Sequence, residues 1–201
     1  MGHGVLPAYR AGATTYEGAT AAFQQWRRAA VEALPVRPGD TVLDVGCGTG
    51  LCIPLLLDRV GPDGTVVGLD EAPEMLDVAR DRHGGPGVRL VAGAAEQVDP
   101  GCTADAALFC AVHDVLQSGR ALDNVLAHLR PGAPVVAAGG KWPPLWLAAT
   151  APAVAALHAP YVRDFRGFDR PWRLLARRVP GLRVTELAMG AGYLATGRVP
   201  A

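Results

Sequence analysis

The chain has 201 residues, half of them hydrophobic and 19% charged, which suits one globular domain with a sizeable core rather than a disordered chain. Its 19 basic and 19 acidic residues cancel, so no overall field favours nucleic acid or an anionic membrane. Four cysteines, Cys47, Cys52, Cys102 and Cys110, form neither a CxxC pair nor a Cys/His set with zinc spacing. Reduced thiols, a cytoplasmic setting and no metal site are therefore expected. No basic stretch followed by an apolar core opens the chain, so no secretion signal is expected.

Ala19 to Leu34 reads as an amphipathic helix, because Ala22, Phe23, Trp26, Ala30, Val31 and Leu34 recur at helical spacing. Pro35, Pro38 and Gly39 stop it. Thr41 to Val45 is a short strand, and a glycine turn leads from it into a helix over Leu51 to Val60. Gly61-Pro-Asp-Gly64 marks a turn. Thr65 to Asp70 is a second strand, Pro73 to Arg82 a helix with proline in its first turn, and Val88 to Ala92 a third strand. Ala104 to Cys110 is a fourth, Ala121 to Leu129 a helix ended by Arg130-Pro-Gly, and Pro134 to Ala138 a fifth. Leu182 to Leu187 and Tyr193 to Gly197 close the chain as two strands joined through Met189-Gly190-Ala191-Gly192.

Near-continuous apolar strands alternating with helices imply an α/β fold: a doubly wound, mostly parallel sheet of seven strands, with helices on both faces. The last connection is too short for a helical crossover, so one antiparallel strand is expected near the C-terminus. The organisation is a single domain. Residues 1–35 form an N-terminal helical segment, 41–140 the ligand-binding core, 141–180 a long connection and 182–198 the final strands. The longest apolar run, Leu145 to Leu157, is short of the roughly 20 residues that span a bilayer. Pro152 also interrupts it, so it is expected to pack on the domain or over a pocket.

The stretch VLDVGCGTG, Val42 to Gly50, carries the chemistry. In open parallel sheets ligands sit at the carboxyl ends of strands, where the strand order reverses. The dinucleotide fingerprint G-x-G-x-x-G would need a third glycine at position 51, which is Leu51; the spacing here is G-x-G-x-G. Asp44, two residues before the first glycine, further disfavours a pyrophosphate and suits a cationic ligand. S-adenosylmethionine has an α-ammonium, a sulfonium and no phosphate. Asp70, ending the second strand, is placed to accept from both ribose hydroxyls.

VLDVGCGTG followed by GTVVGLDEAPEMLDVAR resembles motif I and its successor in class I, Rossmann-like S-adenosylmethionine-dependent methyltransferases of the small-molecule type. The resemblance continues through VRLVAGAAEQVD, ADAALFCAVHDVL and LRPGAPVVAAG, about residues 20 to 140 in order. It implies that Asp44 and the backbone of Gly46, Cys47, Gly48 and Gly50 hold the methionine end. Asp70 would hold the ribose, with Glu71 and Met75 flanking ribose and adenine. The Ala95 amide and Glu96 lie where the adenine edge is read, although Ala94 stands where many members carry an acidic residue. Phe109 and Cys110 end the strand whose carbonyl meets the methionine ammonium. Tyr9 and Tyr16 resemble a lid. The product would be S-adenosylhomocysteine.

Methyl transfer is an in-line displacement that needs alignment and exclusion of water, with a base only if the acceptor must lose a proton. His113, with Asp114 beside it, is the candidate base; the alternative is a histidine that bonds the backbone or caps a helix. His3, His83, His128 and His158 show no partner pattern and read as structural or exposed. Lys141, Trp142, Trp146 and Tyr161 are candidate acceptor residues in the connection, where Phe165, Phe168 and Trp172 follow. Such rings either line a flat apolar site or form a local core. Six arginines between Arg163 and Arg178 read as a solvated face or an anion site.

The expected activity is methyl transfer to a small, aromatic or apolar metabolite, with oxygen favoured. The fourth-strand segment lacks the Asn/Asp-Pro-Pro-aromatic motif common in amino-methylating enzymes. A monomer or homodimer without nucleic-acid or membrane partners is expected. Two rival readings are a protein that binds S-adenosylmethionine for a structural or non-methylating use, and an NAD(P)-dependent oxidoreductase.

Overall fold

The computed structural model describes residues 23–201, so Tyr9, Tyr16 and the start of the expected first helix lie outside the described residues. Helix α1 runs Gln24–Glu32, and the strands follow as β1 Thr41–Val45, β2 Thr65–Asp70, β3 Val88–Ala92, β4 Ala106–Cys110, β5 Pro134–Gly140, β6 Arg183–Leu187 and β7 Gly192–Arg198. Between them stand α2 Ile53–Val60, α3 Pro73–His83, α4 His113–Leu116, α5 Gly119–Ala127, α6 Ala151–His158 and α7 Arg173–Ala176. All seven strands join one sheet in the order β3-β2-β1-β4-β5-β7-β6. Every pairing is parallel except those of β7, which runs antiparallel to both β5 and β6.

The strand alternation sorts side chains onto two apolar layers. Val42, Val66, Ala106, Leu108 and Val136 pack with Ala30 and Val31 of α1 and with Ile53, Leu56 and Val60 of α2. Leu43, Val67, Ala107, Phe109 and Val135 face the other way, onto Leu116, Leu122, Val125 and Leu175. Both faces are covered, which is why the central strands are apolar along most of their length, Asp44 of β1 being the exception among their buried positions. Ser118 opens α5 by accepting a hydrogen bond from the Ala121 amide, 3.2 Å.

Beyond β5 the chain makes a 3₁₀ segment, Leu145–Thr150, and then α6. This is the long apolar run, and it packs less closely than expected. No residue of either piece is buried; Leu145 is 96% exposed and Trp146 72%.

Candidate functional site at the switch point

The reversal of strand order falls between β1 and β4, so the crevice opens at their carboxyl ends. Alternation puts Asp44 on the same side as Val42, toward α1. Its carboxyl is buried, and Oδ2 has no hydrogen-bond partner. Burial, and then the charge of Asp70, push its pKa up to about 7, while the Arg27 guanidinium from α1 pulls it back. Arg27 is itself buried and donates to Gln24 Oε1, 3.1 Å. A buried acceptor left without a partner is costly, and a cation is the ligand that would satisfy it.

The glycine turn is clamped to β2. The Cys47 amide donates to the Leu69 carbonyl, 2.9 Å, and the Gly48 amide to Asp70 Oδ2, 2.8 Å. Asp70 Oδ1 accepts from the Ala72 amide at 2.9 Å, so this carboxylate holds both the turn and the start of α3. Gly46, Gly48 and Gly50 all take positive φ. At Gly46 (φ 67°) an added Cβ would also overlap Val112 Cγ1, so a glycine is required by conformation and by space. Thr49, in the same turn, is buried with its hydroxyl unpartnered.

The remaining cofactor candidates gather along the same edge. Met75 is buried beside Gly48, its Cε 3.5 Å from where a Cβ at that position would stand. Glu71 pairs with Arg163, which reaches across from the connection and also lies 3.7 Å from Asp114 Oδ2. The loop carrying Ala95 and the exposed Glu96 is pinned by Asn124 of α5, whose amide donates to the Ala95 and Val98 carbonyls, 3.1 and 2.8 Å. Phe109 is fully buried, and Cys110 is half-buried at the crevice. Ala111, next in line, takes φ 60°, a strained value for a non-glycine residue.

Beside this edge lies a cleft of about 690 Å³, its open mouth included, that runs between α1, the ends of β4 and β5, and the connection. Phe23, Trp26, Tyr161, Phe168 and Tyr193 supply its aromatic wall, and His113 and His158 its imidazoles. His113 opens α4 and is buried, with Nε2 3.2 Å from the Arg166 carbonyl and Nδ1 without a partner. Burial holds its pKa below the usual histidine range, against the opposing pull of Asp114. Asp114 is raised by burial, against Arg163. Among the described residues, the buried side-chain atoms without a hydrogen-bond partner are Asp44 Oδ2, Thr49 Oγ1, His113 Nδ1 and Arg163 Nε, all at this end of the molecule.

Of the connection residues expected to meet an acceptor, only Tyr161 lines the cleft. Lys141 is buried and paired with Glu186, Nζ to Oε1 3.1 Å, on the β6 side. Trp142 stands behind the wall, stacked on Phe165 at 5.1 Å and edge-on to Phe168 at 5.2 Å. Trp146 points to solvent. Three contributors escaped the sequence reading: Arg27, Asn124 and His158. The i, i+4 spacing of Arg27 from Phe23 was the available signal for the first. The other two depend on which loops α5 and α6 cross.

The arginine-rich segment is largely paired within the protein. Arg166 bonds Asp164, and Arg178 forks onto Asp123, at 2.6 and 2.9 Å. All four cysteines are unpaired in disulfides. No group of three or more His, Cys, Asp or Glu suited to a metal occurs among the described residues, and none of their helices is long and apolar enough to cross a membrane.

A family profile described as a methyltransferase domain matches residues 42–132. A 37.1 kDa protein from transposon TN4556 of Streptomyces fradiae is 28% identical over 187 residues, 90% of this chain and 51% of that protein. The demethylmenaquinone methyltransferase of Symbiobacterium thermophilum is 45% identical over 60 residues, 30% of this chain and 24% of that enzyme. The chain thus spans about half, or less, of the length of these relatives. Among solved structures, the Haloferax volcanii protein in complex with the Trm112 methyltransferase activator superposes with TM-score 0.66 at 19% identity, covering 99% of this chain and 100% of that one. A SAM-dependent methyltransferase of Aquifex aeolicus superposes with TM-score 0.59 at 18% identity, covering 86% and 89%. Sheet order and glycine turn give the chain the Rossmann-like fold of class I S-adenosylmethionine-dependent methyltransferases, and residues 42–132 match the methyltransferase-domain profile.

Proposed function

We propose that this protein transfers a methyl group from S-adenosylmethionine to a hydroxyl of a small aromatic or apolar metabolite. The observation that carries the reading is the pairing of two orphaned buried atoms at one sheet edge. Asp44 Oδ2 is an acceptor suited to a cation, and His113 Nδ1 is a lone pair beside an aromatic cleft.

The residues present fit the cofactor. Asp44, with the backbone of Gly46, Cys47, Gly48 and Gly50, would hold the methionine end, and the Cys110 carbonyl region would meet its ammonium. Asp70 would hold the ribose, Glu71 and Met75 would flank ribose and adenine, and the Ala95 amide and Glu96 would read the adenine edge. When bound, the cofactor supplies an electrophilic methyl group on a sulfonium sulfur.

The chain's own residues do the rest. A carbonyl can only accept, so the Arg166 contact fixes His113 as the Nε2–H tautomer and leaves Nδ1 free to take the acceptor's hydroxyl proton. Asp114, adjacent in sequence, favours the imidazolium that results. The aromatic wall aligns a flat acceptor and keeps water from the reacting atoms. Small-molecule acceptors are also named in relatives such as the 2-phytyl-1,4-naphtoquinone methyltransferase of Synechococcus elongatus, 46% identical over 57 residues.

Calorimetric titration with S-adenosylmethionine, S-adenosylhomocysteine and NAD(P)H tests the cofactor. Binding of the first two without the third is expected; binding of NAD(P)H alone overturns the reading. With an acceptor in hand, His113→Gln should cost about 10²-fold or more in kcat with little change in cofactor affinity. Unchanged turnover would show that alignment alone drives transfer.

A further inference from the structure

His158 has a part in the cleft that its sequence surroundings do not suggest. It ends α6, where Nδ1 lies 2.9 Å from the Val154 carbonyl one turn earlier. Since that carbonyl accepts, Nδ1 carries the proton, and the neutral ring is left with a lone pair on Nε2. That nitrogen sits against the backbone of Gly140 at the end of β5, in space that any Cβ at position 140 would occupy. Seating His158 is therefore what the missing side chain of Gly140 permits.

The two histidines form a matched pair. Each presents its edge to Phe168, with ring centroids 5.0 Å away for His113 and 5.2 Å for His158. Each has its N–H committed to a backbone carbonyl, through Nε2 in one and Nδ1 in the other. Burial lowers the pKa of both, and a charge on His113 would lower that of His158 further, so the pair stays neutral near pH 7. The cleft thus offers two imidazole acceptors, His113 Nδ1 and His158 Nε2, on a wall that is otherwise aromatic and aliphatic apart from the Arg27 guanidinium. Among the described residues neither a carboxylate nor a lysine lines it.

We infer that the cleft is built for an aromatic acceptor bearing at least two hydroxyl groups, one donated to His113 and the other to His158. His158 then determines specificity by holding the hydroxyl that is not methylated. An acceptor with a carbonyl or ether at that place would set two lone pairs against each other in a desolvated site, which costs more than a missing bond. The inference rests on the methyltransferase reading for its placement beside the cofactor.

The test is a calorimetric titration under reducing conditions, on protein saturated with S-adenosylhomocysteine. The probes are the dihydroxynaphthalene isomers, the mono-hydroxylated naphthols and the dimethoxynaphthalenes. At least one dihydroxy isomer should bind about tenfold more tightly than either naphthol, the dimethyl ethers binding weakest. His158→Phe keeps the ring against Phe23 and Phe168 but removes the lone pair. It should abolish that tenfold preference and leave naphthol and S-adenosylhomocysteine affinities unchanged. Gly140→Ala, which displaces the imidazole, should do the same. The inference is overturned if no probe binds the wild type, if the ethers bind as well as the diols, or if His158→Phe keeps the preference. Failure of S-adenosylhomocysteine to bind, with the diol preference intact, would instead sink the methyltransferase reading alone.

Discussion

At the proposed cofactor edge, backbone amides and the Asp70 carboxylate do the positioning. Glycines with positive φ, an amide clamped to the Leu69 carbonyl and a carboxylate bonded to two amides fix the crevice within a few residues of β1 and β2. At the acceptor cleft, side chains do it, and they come from α1, the ends of β4 and β5, α6 and the connection. The first region is held by backbone bonds, glycine conformation and one carboxylate. The second is held by ring packing among Phe23, His113, His158, Phe165 and Phe168. In the proposed reading, one edge of a single sheet therefore joins a stiff part for the cofactor to a substitutable part for the acceptor.

Substitutions can break that contrast. The largest effect is expected at Gly46→Ala, where the two regions touch through Val112. A left-handed alanine costs about 1–2 kcal/mol and the forced repacking about 1–3 kcal/mol more, so urea unfolding should show a loss on that scale together with loss of cofactor binding. Asp70→Ala should weaken S-adenosylhomocysteine binding by about 100-fold in calorimetry, since it removes a charged acceptor and unpins the Gly48 amide. A small effect there would undermine the assignment of the glycine turn itself.

Asp44→Asn sharpens the comparison through pH. With its folded pKa near 7 and an unfolded value near 3.8, the folded protein binds more protons than the unfolded one between those values. Stability from this group is therefore greatest at low pH and is lost as pH rises through 7. The unfolding free energy of the ligand-free protein should fall from pH 5 to 7, by no more than about 1.4 kcal/mol per pH unit. Asp44→Asn should remove that slope, stabilise the protein at pH 8 and abolish cofactor binding. The smallest effect is expected at Trp146→Ala: a change within about 0.5 kcal/mol and unaltered probe binding, because the ring is exposed and outside the cleft.

The same contrast explains what could be read from the sequence. The strands Thr41–Val45, Thr65–Asp70 and Val88–Ala92 stand where the apolar runs put them. Turn, acidic residue and strand are contiguous, so spacing alone located Asp44, Gly46 and Asp70 at one edge. Helix α2 starts at Ile53 rather than Leu51, because the turn is still closing with Gly50 bonded to Cys47. The connection was legible only as aromatic. Lys141 finds Glu186 on β6, a partner 45 positions away, and Trp142 and Trp146 flank a double proline that sends them apart. That His158 turns inward depends on α6 crossing the glycine at the end of β5, a tertiary fact without a local signature.

The four tryptophans sit in four different surroundings, which makes the protein its own optical instrument. Trp26 lines the cleft, Trp142 is stacked behind its wall, Trp172 lies 4.9 Å from the buried Tyr193, and Trp146 faces water. An aromatic molecule entering the cleft should quench the emission of Trp26 and leave the red-shifted emission of Trp146 as an internal reference. Occupancy of the cleft can then be followed in one cuvette, without label or product assay.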